Sequence, residues 1–147
     1  LLNMLLGKSS ETYKQLYQAG DLLAQPDLDY EFSDQYAHIL IAGQSKNSQK
    51  VDKAFETTGE KLKEKGLDKE DFDRIGKKVY GEYEVEHNSV GNIARMFLSD
   101  SMKGINSFDY IERFKEVTKE YTEHVLKNVF KTENKILSVI NRKDKNK

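Results

Sequence analysis

Residues 36 to 43, Tyr-Ala-His-Ile-Leu-Ile-Ala-Gly, are apolar on both faces of any strand they form. A strand of that kind needs cover on each side, so it commits the chain to a sheet with packed faces. Tyr30-Glu31-Phe32 alternates apolar and polar as a half-buried strand does, and Ser33-Asp34-Gln35 suits a hairpin loop between the two runs. Lys135-Ile136-Leu137-Ser138-Val139-Ile140 reads as a closing strand. The expected sheet is therefore small and antiparallel in type, a hairpin plus a C-terminal strand.

The rest of the chain has helical spacing. Ser9-Ser10-Glu11-Thr12 offers hydroxyls for a helix start, Tyr13, Leu16 and Tyr17 share a face, and Gly20 suits the C′ position. Asn47 or Ser48 opens a second helix through Val51, Phe55, Thr58 and Leu62 to Gly66. Asp68 opens a third with Phe72, Ile75, Val79 and Tyr83 on one side. The pattern breaks at Asn88 or Ser89, which reads as an internal cap, and resumes as Val90, Ile93, Ala94, Phe97 and Met102. A last helix is expected over Phe108 to Val129, with Phe108, Ile111, Phe114, Val117, Tyr121, Val125 and Val129 inward. Strands and helices fall in separate blocks, so the fold class is α+β, with four to five helices on the sheet.

Length and charge narrow the functions available. The 147 residues suffice for one domain with a core, and a net charge of -1 gives no electrostatic reason to expect nucleic acid. The basic Arg142 to Lys147 tail reads as a frayed, solvated end. There is no cysteine, which excludes disulfides and thiolate sites and is compatible with a cytoplasmic protein. The opening Leu1-Leu2-Asn3-Met4-Leu5-Leu6 is too short to span a bilayer and lacks a signal peptide's basic flank. It already reads as buried and has no initiator methionine, so residues 1–147 are expected to be a single partial domain of a longer polypeptide.

The three histidines are the candidate metal ligands. His38 lies inside the apolar strand, where a satisfied core or hairpin-facing imidazole is the more ordinary role. Glu84 and His87 form a Glu-x-x-His pair of the kind used in carboxylate di-metal sites, which need a second copy. Glu120 and His124, four residues apart, are the remaining contributors, and that spacing more often makes a surface pair. Neither His-Glu-x-x-His nor His-x-x-Glu-His occurs, nor does a nucleophile elbow, phosphate loop or dinucleotide fingerprint. No self-contained catalytic or metal site is legible.

Two long stretches carry a resemblance. GKSSETYKQLYQAGDLLAQPDLDYEFSDQYAHILIAGQS (residues 7 to 45) resembles the C-terminal domain of pitrilysin/insulinase-family zinc metallopeptidases, bacterial branch, where a helix is followed by a hairpin ending at Gly. LKEKGLDKEDFDRIGKKVYGEYEVEHNSVGNIARMFLSD (residues 62 to 100) resembles the same family's two-helix stretch with an Asn/Ser break. The resemblance implies a half-domain of a clam-shell that encloses a peptide, with zinc in the parent's N-terminal half and no cofactor in this part. It implies a non-catalytic, substrate-cradling region whose partners are the peptide and the zinc-bearing half, on the same chain or a partner subunit. The family's substrate-contacting Arg falls at Tyr17, the expected substrate-binding residue here, and its Tyr falls at Leu23 or Ala24, so neither residue type matches. An inactive peptide-binding or chaperone-like homologue is the alternative, and a carboxylate-metal protein on Glu84, His87, Glu120 and His124 is a third. No nucleic acid or membrane partner is expected, and a homodimer is expected of the isolated chain.

With three scattered histidines and no cysteine, the dialysed chain is expected to retain no stoichiometric zinc, since even a catalytic zinc takes three protein ligands. Metal analysis checks this, and one tightly held zinc per chain would overturn the reading.

Overall fold

The computed structural model describes residues 1–141, so the Arg142 to Lys147 tail lies outside the described residues. The element order is α1 (Leu2–Leu6), α2 (Glu11–Gln18), β1 (Asp27–Phe32), β2 (Ala37–Ala42), α3 (Ser48–Lys65), α4 (Lys69–Glu86), α5 (Val90–Met102), α6 (Tyr110–Glu116) and α7 (Lys119–Val129). Short 3-10 turns sit at Ser107–Asp109 and Thr132–Asn134. The class is α+β, as the block order of the sequence implies.

Local chemistry sets most helix ends. Ser10, Asn47, Asp68, Ser89 and Thr118 each accept a hydrogen bond from a backbone N–H three residues on, which satisfies a donor the helix itself cannot. Helix α2 closes at Gly20, whose φ of +73° is open to glycine at little cost. The Asp21 N–H then reaches back to the Leu16 carbonyl and the Gly20 N–H to Tyr17, the double bond of a Schellman ending. That ending turns the chain so that Leu22 buries beside Leu16 and Leu6.

This cluster is the core of the molecule's first half. Tyr13, Leu28, Ile41, Val51, Ala54 and Phe55 pack around Leu6, Leu16 and Leu22, so α2, α3 and the base of the hairpin meet at one point. Helix α1 touches α2, α3 and α4 together, with Leu5 and Leu6 each 1% exposed. A second junction ties the α3–α4 connection to α7. Glu123 accepts the Leu67 backbone N–H at 2.7 Å and pairs with Lys119 at 2.8 Å, and these two contacts hold its carboxyl below the usual glutamate range.

Three expectations are corrected. The sheet among the described residues has two strands, paired antiparallel from Asp27↔Ala42 to Phe32↔Ala37. Lys135 to Ile140 forms no strand, because the chain leaving α7 is tied to α3. Phe130 packs tilted against Phe55, ring centroids 5.0 Å apart, over Gly59, where a Cβ would fall 2.1 Å from the ring, and Lys135 pairs with Asp52 and Glu56, each at 2.6 Å. The Phe108–Val129 helix is broken: Val117 is extended and Thr118 caps a fresh helix, two β-branched residues of low helix propensity at the junction. The break shifts the phase, so Thr122 and Leu126 are buried while Phe108, Val117, Tyr121 and Val129 are exposed. Lastly, β2 is not covered on both faces, since only Ile41 is even half-buried.

The structure assigns the α5 cap to Ser89, whose Oγ accepts from the Asn92 N–H, while the Asn88 side chain makes no such bond. Ser89→Ala should therefore cost about 0.5–2 kcal/mol in chemical denaturation. Asn88→Ala should change stability by only a few tenths. Equal losses would place the cap elsewhere.

Candidate functional site

The segment that carries the family resemblance is built around α2. Tyr13 and Tyr17, one turn apart, stack with ring centroids 5.6 Å apart and planes at 19°. They divide the work: Tyr13 packs on the Leu6–Leu16–Leu22 cluster, and Tyr17 rides on it with 52% of its surface exposed. The stack fixes the outer ring by aromatic contact. A tyrosine so placed presents an oriented hydroxyl, both donor and acceptor, to anything lying along α2. Leu23, the second residue singled out by the resemblance, is also exposed, and its N–H is held by the Gln44 carbonyl at 3.1 Å.

On another side of α2 a cleft of about 640 Å³ runs between α2 and α3. Its floor holds Leu16, Ala54 and Leu62, with Thr12 and Thr58 hydroxyls bonded across it at 2.6 Å. Glu11 and Asp21 stand on the α2 side and Lys50, Lys53 and Lys61 on the α3 side. Asp21 Oδ2 is buried and matched by charge more than by a well-directed hydrogen bond, with Lys50 Nζ 2.5 Å away. Tyr17 does not line this cleft.

The histidines are dispersed. His38 stacks on Tyr36 at 5.7 Å and lies 3.6 Å from Glu31 across the ladder, on the exposed hairpin. His87 Nδ1 is 2.8 Å from the Tyr83 carbonyl, and His124 Nε2 is 2.8 Å from Asn128 Nδ2. Glu84 sits beside the Tyr80 hydroxyl and, through that hydrogen bond, raises its pKa. Glu84 and His87 at the end of α4 and His124 on α7 each have their own partners, Glu120 is on α7, and the described residues hold no group of three or more His, Cys, Asp or Glu placed to share a metal. No helix among the described residues is long and apolar enough to cross a membrane.

One polar cluster has no counterpart in the sequence reading. Asp100, 6% exposed near the end of α5, accepts the Ser107 hydroxyl at 2.6 Å and the Tyr110 hydroxyl at 3.5 Å. Burial, then the Asp100 charge, pushes the Tyr83 and Tyr110 hydroxyls above the ordinary tyrosine range. Phenols of raised pKa stay protonated at neutral pH, so this cluster donates hydrogen bonds and does not generate a nucleophile. It closes the α5–α6 turn. Its only sequence signal is that Ser107 and Tyr110 follow Gly104, which says nothing of Asp100.

No family model matches the chain, and no curated protein matches it. Among solved structures, the chain is similar to a proposed M16-like peptidase from Alicyclobacillus acidocaldarius, with a TM-score of 0.79 and 20% identity. The likeness covers 85% of this chain and 30% of that one. The chain thus has the fold of part of that protein and spans under a third of its length.

Removing the Ser107 hydroxyl leaves the buried Asp100 with one long contact. Ser107→Ala is expected to cost about 1–3 kcal/mol in urea denaturation, and Tyr110→Phe less. A neutral Ser107→Ala would mean that Asp100 is reached by solvent.

Proposed function

We propose that the chain is the substrate-cradling, zinc-free C-terminal part of a zinc metallopeptidase of the pitrilysin/insulinase type, which cleaves peptides in an enclosed chamber. The observation that carries this reading is the shared fold over 85% of the chain with an M16-like peptidase. The resemblance of residues 7 to 45 and 62 to 100 agrees with it independently. In this reading the zinc-bearing N-terminal half, on the same chain or a partner subunit, performs hydrolysis. A cytoplasmic setting accords with the absence of cysteine.

Tyr17 is the proposed peptide contact on this half. Its ring is fixed by Tyr13 and its body is exposed, so its hydroxyl can donate to a peptide carbonyl where the family places an arginine. A phenol supplies one neutral hydrogen bond where a guanidinium supplies a charged fork, so this contact is weaker and less directional. That difference, and the replacement of the family's tyrosine by Leu23 or Ala24, favours a second reading: a peptide-holding homologue that does not cut.

The two readings separate on the reading frame upstream of Leu1. A His-x-x-Glu-His followed by a later Glu supports the peptidase, and its absence supports the non-cutting homologue. The cradle itself is tested by titrating a fluorescent unstructured peptide into the chain. Tyr17→Phe is expected to weaken binding roughly 3- to 10-fold, the worth of one neutral hydrogen bond. Unchanged affinity would remove Tyr17 from the site, and no binding by the parent chain would remove the cradle.

A further inference from the structure

Leu28, Tyr30 and Phe32 alternate along β1 and so share one face of the hairpin. That face is held at two points of unlike chemistry. At the base, Leu28 and Ile41, paired across the ladder, pack on the Leu6–Leu16–Leu22 cluster. Four residues on, roughly 13 Å along the strand, the Lys103 ammonium lies over the Phe32 ring, 4.5 Å from its centroid. Between these points Tyr30 stacks on Phe32 at 5.5 Å and stays 56% exposed. The base contact is apolar and belongs to the core. The tip contact is one cation on one ring, so the tip can leave its place while the base stays seated.

Lys103 is held in turn by the chain that follows α5. It is the C-cap residue of that helix, and the next two N–H groups, of Gly104 and Ile105, return to the Ser101 and Asp100 carbonyls at 3.1 and 2.9 Å. Gly104 has a φ of +71°, which makes this another Schellman ending. Asp100 fixes the ending twice. Its carbonyl takes the Ile105 N–H, and its buried carboxylate takes the Ser107 hydroxyl at 2.6 Å and the Tyr110 hydroxyl at 3.5 Å. The Ser107 carbonyl accepts from the Tyr83 hydroxyl at 3.4 Å, which fastens the same turn to α4. The backbone that carries Lys103 is therefore set by α4, α5 and α6 together.

We propose that the hairpin is a lever hinged at Leu28 and Ile41 and latched at its tip by Lys103, and that the Asp100–Ser107 lock sets the latch. Loosening the α5–α6 turn draws Lys103 off the Phe32 ring and releases the tip, with no change needed at the hinge. The placement of the hairpin thus follows the state of a turn far from its own base.

Two readouts test this. In NMR of the chain with labelled lysine, the Lys103 side-chain methylenes should be shifted upfield by the Phe32 ring current, and Phe32→Leu should abolish the shift. Ser107→Ala should move Lys103 part of the way to the position of an exposed lysine. Tyr110→Phe, which keeps the buried Ser107 contact, is the gentler second variant and should do so less. The chain has no cysteine, so a spin label on Asp34→Cys reports the tip alone and one on Gln44→Cys the base. Lys103→Gln should raise the undocked population at Asp34 roughly 2- to 5-fold, the worth of an exposed cation–π contact, and leave Gln44 unmoved. Lys103→Arg should restore the parent spectrum. Ser107→Ala should loosen the tip in the parent but add nothing in the Lys103→Gln background. Circular dichroism confirms that each variant is folded. No upfield shift of Lys103 in the parent overturns the latch. A Lys103 shift that neither Ser107→Ala nor Tyr110→Phe moves, or additive effects of Ser107→Ala and Lys103→Gln, overturns the control by Asp100.

Discussion

Burial of Leu5 and Leu6 is the contact on which the rest of the molecule depends. A five-residue helix has no stability of its own, because nucleation costs more than one turn of hydrogen bonds returns. α1 persists because two leucines, each 1% exposed, are worth about 1.5–3 kcal/mol apiece when removed from water. They draw α2, α3 and α4 to one place. From there the arrangement propagates by short steps. The Schellman ending at Gly20 delivers Leu22 to the cluster, the Leu22–Ser45 bridge follows, and Leu28 with Ile41 seats the base of the hairpin.

The knot reaches only so far, and the limits show in the surface. Beyond Leu28 and Ile41 the hairpin has little beneath it. Phe32, near its tip, is covered on one side by Lys103 Nζ, 4.5 Å above the ring. The far end of the chain is held by two modest devices on α3, the Phe130 ring over Gly59 and the Lys135 ion pairs, after which Ile136 and Ile140 stand 93% and 99% exposed. A two-stranded hairpin is marginal in isolation, so the seated base and the ladder together must hold this one. Local opening is expected to begin at the Ser33–Tyr36 turn and not at Leu22.

What was legible in the sequence is what local chemistry decides. Ser10, Asn47, Asp68 and Ser89 cap helices because a side-chain oxygen three residues from an orphan N–H is enough, whatever lies around it. Gly20 and Gly66 end helices for an equally local reason, their positive φ. What failed depends on neighbours. Lys135 to Ile140 has the apolar, β-branched composition of a strand, but Lys135 found Asp52 and Glu56 before any edge. Val117 and Thr118 fit a helical face on spacing alone, and only the cap made by Thr118 shows that the helix restarts there. The candidate site divides in the same way. Tyr17 is singled out by the resemblance alone, whereas Asp100 acquires partners only once Ser107 and Tyr110 fold back onto it.

The strand that failed most plainly as a core element is also the most informative. Ala37 to Ala42 has the composition of a strand flanked on both sides, yet it has one neighbour, and Leu40 is 50% exposed. Natural edges are blunted by charge, and β1 shows that this chain uses the device, spending Asp29 on the Tyr30 N–H. An unblunted β2 beside a blunted β1 is therefore a difference with a direction: one side of the hairpin is closed to pairing and the other is open.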